Sequence, residues 1–264
     1  MEENFEVACG DWHGNTSAAY THSQKASEQS TSKILWQVGD FGVGPWPGDM
    51  ADTMSLKASK IAKKYGITIV TILGNHENWD TVQFAPQVSG PGGGTYRKLA
   101  DGILAADKPM LVEFDSWRAA LVPGASSVDI AARTPHVSWW PQELVDVAAV
   151  RNELFPALDA VAGDGKPLVL LAHEAPTEIV FRLHGTHNPW GEKIQQRCQP
   201  GQDVLQELIE TYSPSYMIHG HHHESKTSMV SDTLIFSLGK EHNKGSLVTF
   251  DPTKPPQETL VERL

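Results

Sequence analysis

The sequence predicts an α/β fold in which neighbouring parallel strands carry polar clusters at their carboxyl ends. Three observations predict it. Short, β-branched apolar runs recur, each closed by glycine or a polar ligand type; helix-periodic stretches lie between them; and 264 residues are enough to bury a sizeable core as one domain.

Residues 5–9 precede Gly10, residues 34–38 precede Gly39, and residues 67–73, with the strongly β-favouring Ile67-Thr68-Ile69-Val70-Thr71-Ile72, precede Gly74. Over 52–65, Met54, Ala58, Ile61, Ala62 and Tyr65 recur at helical spacing, and Gly66 sits where a C′ residue belongs. The first third therefore reads β-α-β-α-β, and such runs make parallel strands whose ligands collect beyond the carboxyl ends. A helix-rich stretch over 141–162 ends at Gly163, and 168–172 reads as a buried strand delivering His173. A helix over about 203–212 leads to a strand at 216–219. Strands around 233–237 and 246–250 carry no ligand types and read as edge or second-sheet strands. Segments 89–95, 126–141 and 184–201 read as irregular, insert-like parts of a single domain spanning 1–264, and the proline-rich 251–257 as a surface tail.

The formal charge of −11 argues against a protein that grips long nucleic acid through a broad basic surface. Cys9 and Cys198 are too few for a disulfide framework or a thiolate zinc site and fit a reducing compartment. No basic and apolar leader opens the chain and no stretch approaches a membrane span, so a cytoplasmic protein with no membrane partner is expected, with homo-oligomerisation left open.

Chemistry concentrates in five clusters at predicted strand ends: Gly10-Asp11-Trp12-His13, Gly39-Asp40, Gly74-Asn75-His76-Glu77, His173, and Gly220-His221-His222-His223. They supply oxygen and imidazole ligands without thiolates, a set suited to manganese, iron or zinc. Two adjacent divalent cations repel, so a shared site needs a bridging carboxylate, for which Asp40 is the natural residue. Asp11 and His13 converge on one ion. Asn75 offers the other a neutral oxygen that limits negative charge near an anionic substrate, and His221 and His223 address different ions from one turn.

The ordered set Asp-x-His, Gly-Asp, Gly-Asn-His-Glu, His, Gly-His-x-His resembles the signature of the calcineurin-like metallophosphoesterases across roughly residues 10–223. The resemblance implies a metallophosphoesterase-type β-sandwich of two mixed sheets flanked by helices. It implies two divalent metal ions, manganese foremost with iron or zinc as alternatives. One would take Asp11, His13, Asp40 and His223, the other Asp40, Asn75, His173 and His221; His76 would be the catalytic histidine, its tautomer fixed by Asp11 or another nearby carboxylate. A hydroxide bridging the metals would attack phosphorus in line while His76 protonates the leaving oxygen. Gln37-Val38-Gly39-Asp40-Phe41-Gly42 departs from the Gly-Asp-x-x-Asp-Arg-Gly form of protein Ser/Thr phosphatases, and with Ser138-Trp139-Trp140-Pro141 it looks more like small phosphoesterases encoded by bacteria and actinobacterial phages.

The expected substrate is a small phosphodiester, a cyclic nucleotide or nucleotide-like molecule; a phosphomonoesterase, a protein phosphatase or a non-catalytic scaffold are the alternatives. Candidate substrate residues are Asn15, Arg133, Trp139, Trp140, His184 and His187. Arg133 reads equally as a phosphate ligand or a surface ion pair, and the tryptophans, with Trp190, as a base-stacking face or as packing.

Overall fold

Apolar runs closed by glycine become strands because both of their faces find something to bury against. The computed structural model describes residues 4–44, 53–185, 191–256 and, as backbone, 262–263. β1 (Glu6–Cys9), β2 (Ile34–Gln37) and β3 (Thr68–Ile72) are joined through α1 (Thr16–Gln29) and α2 (Thr53–Tyr65). α1 opens at Asn15, whose side chain accepts from the Ser17 and Ala18 N–H groups. α2 closes at Gly66, φ +63°, in open space, so the backbone angle rather than crowding asks for glycine. There follow α3 (Trp79–Val82), β4 (Gln87–Ser89), β5 (Thr95–Ala100), β6 (Ile103–Ala106), β7 (Met110–Glu113) and β8 (Arg118–Val122). The second half holds α4 (Val147–Ala149), a π-helical turn over Val150–Leu154, α5 (Phe155–Ala160), β9 (Leu168–Ala172), α6 (Thr177–His184), α7 (Glu192–Tyr212), β10 (Tyr216–His219), β11 (Lys226–Val230), β12 (Thr233–Ser237), β13 (Leu247–Phe250) and β14 (Glu262–Arg263).

Among the described residues one sheet runs β14-β13-β1-β2-β3-β6-β5-β4 and the other β11-β12-β10-β9-β8-β7. Each has a parallel centre, β1-β2-β3-β6 and β8-β9-β10-β12, with antiparallel strands outside it. Alternation divides the side chains between two faces. Ala8, Trp36, Val38, Val70 and Ile72 meet Ala119, Leu121, Val169, Leu171 and Ile218 between the sheets. Val7, Cys9, Leu35 and Ile69 pack outward on Ala18, Ala26, Met54, Ala58 and Ala62 of the first two helices. On the far side Ala120, Leu168 and Leu170 pack on Val204, Leu205, Leu208 and Ile209 of α7. At ~1.5–3 kcal/mol for each large apolar side chain fully buried, these layers hold the strand ends in place.

Three expectations give way. The segment 184–201 is helical at both ends, α7 running from residue 192 straight through Pro200. A proline there costs the helix about 3 kcal/mol, offset by the buried face of Cys198, Gly201, Val204, Leu205 and Leu208. The helix-rich stretch over 141–162 is present as a 3-10 turn, α4, the π turn and α5, with Pro156 in the first turn of α5, where a missing N–H is tolerated. The stretch 89–95 holds the end of β4, a 3-10 turn and the start of β5. The tail is anchored rather than loose: Asp251 is buried and the Lys254 carbonyl accepts from the Tyr216 hydroxyl. Cys9 and Cys198 are buried free thiols.

Candidate metal centre

The carboxyl ends of β1, β2, β3, β9 and β10 deliver the five clusters to one place. Asp11, His13, Asp40 and His223 each offer a donor atom, all within 4.8 Å of one another. His13 Nε2 lies 3.3 Å from Asp40 Oδ2, and His223 Nε2 3.0 Å from Asp11 Oδ2. His223 Nε2 is nevertheless buried without a hydrogen-bond partner. Its lone pair and that of Asp11 converge on common space, which is what a cation would fill. His13, Asp40, His221 and His223 all have positive φ, between 46° and 66°. For side-chain-bearing residues that conformation costs about 1–2 kcal/mol each, strain that turns the side chains off the strand alternation and onto a shared point.

On the other side of Asp40, His173 Nε2 lies 3.3 Å from Asp40 Oδ1 and 3.1 Å from Asn75 Oδ1. His173 Nδ1 donates to the Val38 carbonyl at 2.7 Å, which leaves Nε2 as the donor atom for a metal. Asn75 Nδ2 donates to Ser127 Oγ at 3.2 Å and so turns Oδ1 inward. The two oxygens of Asp40 thus face two different groups. His221 is the residue that stands apart. Its ring packs on His173 with centroids 5.1 Å apart, but its donor atom groups with Glu174 and His222, with Nε2 3.8 Å from Glu174 Oε2.

Electrostatics match this layout. Burial is the largest influence on both Asp40 and His173 and works against their charge, but the neighbours together outweigh it: His173, His76 and His13 hold Asp40 well below the usual carboxylate range, and Asp40 with Asp11 pushes His173 up to about 10. Buried carboxylates here demand positive charge, which protons supply and divalent cations would supply in their place. Two glycines exist for this packing. A Cβ on Gly74 would stand 2.4 Å from Asp40 Oδ1, and one on Gly220 2.1 Å from Asp11 Oδ1.

His76 borders the same cleft of about 280 Å³, with Asp40, Asn75, Arg133 and His184 among its lining. Its near neighbour is not Asp11. His76 Nε2 is 3.9 Å from Asp40 Oδ2, and the Arg133 guanidinium nitrogens lie 3.0–3.2 Å from both ring nitrogens. Burial first, then the Arg133 charge, hold the imidazole below its ordinary value, with Asp40 opposing.

A family model described as calcineurin-like phosphoesterase matches residues 7–225. The chain belongs to that family. The family acts on phosphoesters with divalent metals, and the donor atoms gathered around Asp40 fit such ions. Among solved structures, a Thermus thermophilus protein aligns over 99% of both chains at 10% identity with a TM-score of 0.56. A putative 5'-nucleotidase from Staphylococcus aureus aligns at 15% identity and a TM-score of 0.54, covering 100% of this chain and 53% of that one, so the chain spans about half of the nucleotidase. At these identities the likeness is one of fold: two mixed sheets flanked by helices. No curated protein sequence matches the chain. No described helix is long and apolar enough to cross a membrane.

Other candidates fall into different roles. Asn15 is a helix cap, its amide donating to Glu241 Oε2 at 3.0 Å, so both ends of its side chain are engaged in structure. Trp140 is 1% exposed and its indole N–H donates to Asp80, which removes it as a base-stacking face. Trp139 faces the Arg197 guanidinium 5.0 Å from its ring centre. His184 Nε2 meets His222 Nδ1 at 2.9 Å. His187 and Trp190 lie outside the described residues. Sequence reasoning assigned no role to Glu77, fully buried, which accepts from the Gly42 and Gly74 N–H groups and so clamps the turns carrying Asp40 and Asn75. Nor did it assign one to Gln37, whose amide donates to the Gly10 and Gly39 carbonyls and ties the first two clusters together. For Gln37 the available signal was a polar residue inside an otherwise apolar run.

Proposed function

We propose that the chain hydrolyses small phosphodiesters, cyclic nucleotides or nucleotide-like diesters among them, with two divalent cations shared across Asp40. The observation that carries this reading is the division of the Asp40 carboxylate, one oxygen 3.3 Å from His13 and the other 3.3 Å from His173. Asp11, His13, Asp40 and His223 would hold one ion, and Asp40, Asn75, His173 and His221 the other, with manganese foremost and iron or zinc as alternatives. Such ions supply Lewis acidity at phosphoryl oxygens and lower the pKa of water.

The chain's own residues do the rest. His76 gives the proton on Nε2, the nitrogen on the Asp40 side, to the leaving oxygen. Asn75, being neutral, limits the negative charge that an anionic ester meets. The cleft of about 280 Å³ and the formal charge of −11 favour a small substrate over long nucleic acid. A panel of cyclic nucleotides, dinucleotides and monoesters tested on metal-loaded protein decides the matter. Diesters are expected to show the larger kcat/KM; a preference for monoesters replaces this reading with a phosphomonoesterase.

A further inference from the structure

The segment 126–143 is held by a dense set of buried and local hydrogen bonds, and beyond Ser127 aiming Asn75 and Arg133 lying against His76 it has so far no part in the chemistry. Its base closes on Glu143, fully buried, which accepts from the Ser127 N–H at 2.8 Å and the Trp140 N–H at 3.4 Å and is approached by Arg197 Nη2 at 3.3 Å. Its flank closes on Asp80. That carboxylate accepts from His136 Nδ1 at 2.8 Å, Trp140 Nε1 at 3.1 Å and Gln142 Nε2 at 3.2 Å. Asp80 belongs to α3, which follows directly on the turn bearing Asn75 and His76. Between these anchors Arg133 is fixed by Asp129 Oδ1 at 2.6 Å and by the Ser138 carbonyl at 2.8 Å.

Those contacts aim the guanidinium across the His76 ring and into the cleft, where Arg133 is the one Lys or Arg among the described lining residues, alongside the carboxylates of Asp40 and Asp129. An anionic ester entering there meets one protein cation. A planar guanidinium offers paired N–H donors that match the oxygens of a phosphoryl group, and one already held in place loses little side-chain freedom on binding.

We propose that segment 126–143 is a phosphoryl-binding clamp, with Arg133 as the ligand of a phosphoryl oxygen and Asp80 as the positioning residue that keys the clamp to the catalytic turn. The proposal rests on the phosphoester reading of the cleft but is indifferent to diester or monoester. It also assigns Trp140 and His136 their part: they tether the loop to Asp80 and touch no substrate.

The test uses metal-loaded protein, calorimetric binding of inorganic phosphate, and kcat and KM for a small chromogenic phosphodiester. Arg133→Ala should weaken phosphate binding and raise KM by roughly 10–100-fold, the loss of one charge-assisted contact, with metal content unchanged. Arg133→Lys, which keeps the charge but not the fork, should recover part of it. Asp80→Asn removes the charge and keeps only one acceptor oxygen, so an amide N–H₂ faces at least one of the three donors, and it should weaken phosphate binding by several-fold. In an Arg133→Ala background the same change should cost nothing more, because Asp80 acts through Arg133. Phosphate binding unchanged in Arg133→Ala, or an Asp80→Asn loss equally large without Arg133, overturns the clamp. A wild type that prefers monoesters defeats the diester reading alone and leaves the phosphate-binding differences to decide the clamp.

Discussion

The two donor groups that meet at Asp40 are held in different ways. In one, His13 and His223 sit on positive-φ turns, with side chains 24% and 34% exposed. In the other, Asn75 and His173 are buried and each is aimed by a neutral partner, Ser127 Oγ and the Val38 carbonyl. The first group therefore owes its geometry to strained turns that a cation would stabilise. The second is set by hydrogen bonds that exist with or without an ion. Two donor groups of different stiffness follow, one loose and electrostatic, one rigid and pre-aimed.

The substitution that should erase the comparison is Asp40→Asn. It removes the shared charge, and near-complete loss of turnover with loss of at least one metal is expected, because a neutral amide cannot offset the repulsion of adjacent dications. Elemental analysis alongside kinetics checks it; full occupancy with normal turnover would mean that Asp40 bridges nothing. Next in size is His76→Ala, at a residue that lies beside Asp40 and His13 but is not itself a member of either donor group. Turnover should fall by roughly 10²–10⁴-fold with metal content near wild type, and a diester with a very acidic leaving group should suffer less. Metal loss in that variant would recast His76 as a ligand.

Protonation sharpens the contrast. In metal-free protein the His173 pKa, held down by burial but raised more by Asp40 and Asp11 together, ends at about 10, above its ordinary value of 6.5. A histidine raised in the folded state contributes stability that is fully present below the unfolded pKa and is lost as pH rises through the folded one. The Tm of metal-free protein should fall between pH 6.5 and about 10 for this reason. Metal-loaded protein should lack this component, since the ion takes the place of the proton, and metal uptake at neutral pH should release protons. Identical pH profiles with and without metal would show that no ion replaces the His173 proton.

The smallest effect is on the rigid group alone. Ser127→Ala frees the Asn75 amide and should weaken one of the two metal sites by several-fold while leaving the other unchanged, as expected for loss of one neutral hydrogen bond. Equal weakening of both sites in a competition titration would remove the asymmetry.

The strand-end clusters were readable because their information is local: a β-branched run, a glycine, then ligands, with Gly74 and Gly220 required by side chains that pack against them. The parallel-stranded α/β core follows from the same runs. The clamp was not readable, since the donors on Asp80 come from positions 56, 60 and 62 residues away and nothing near Asp80 announces them. Trp140 reads from sequence as packing or as a stacking face, and the folded chain, which covers it, decides for packing. The grouping of His221 with Glu174 and His222 depends on β9 and β10 lying side by side. The sequence shows α7 only from about 203, because the partners that stabilise its first half, among them Val145 against Gly201, lie far away along the chain.

The central claim is a dinuclear centre shared across Asp40, and counting the ions tests it most directly. Wild-type protein equilibrated with manganese and freed of excess should hold two ions per chain by elemental analysis, and Asn75→Ala, which alters only the buried group, should hold one. A single ion per chain in the wild type, or two undiminished in Asn75→Ala, would contradict the account.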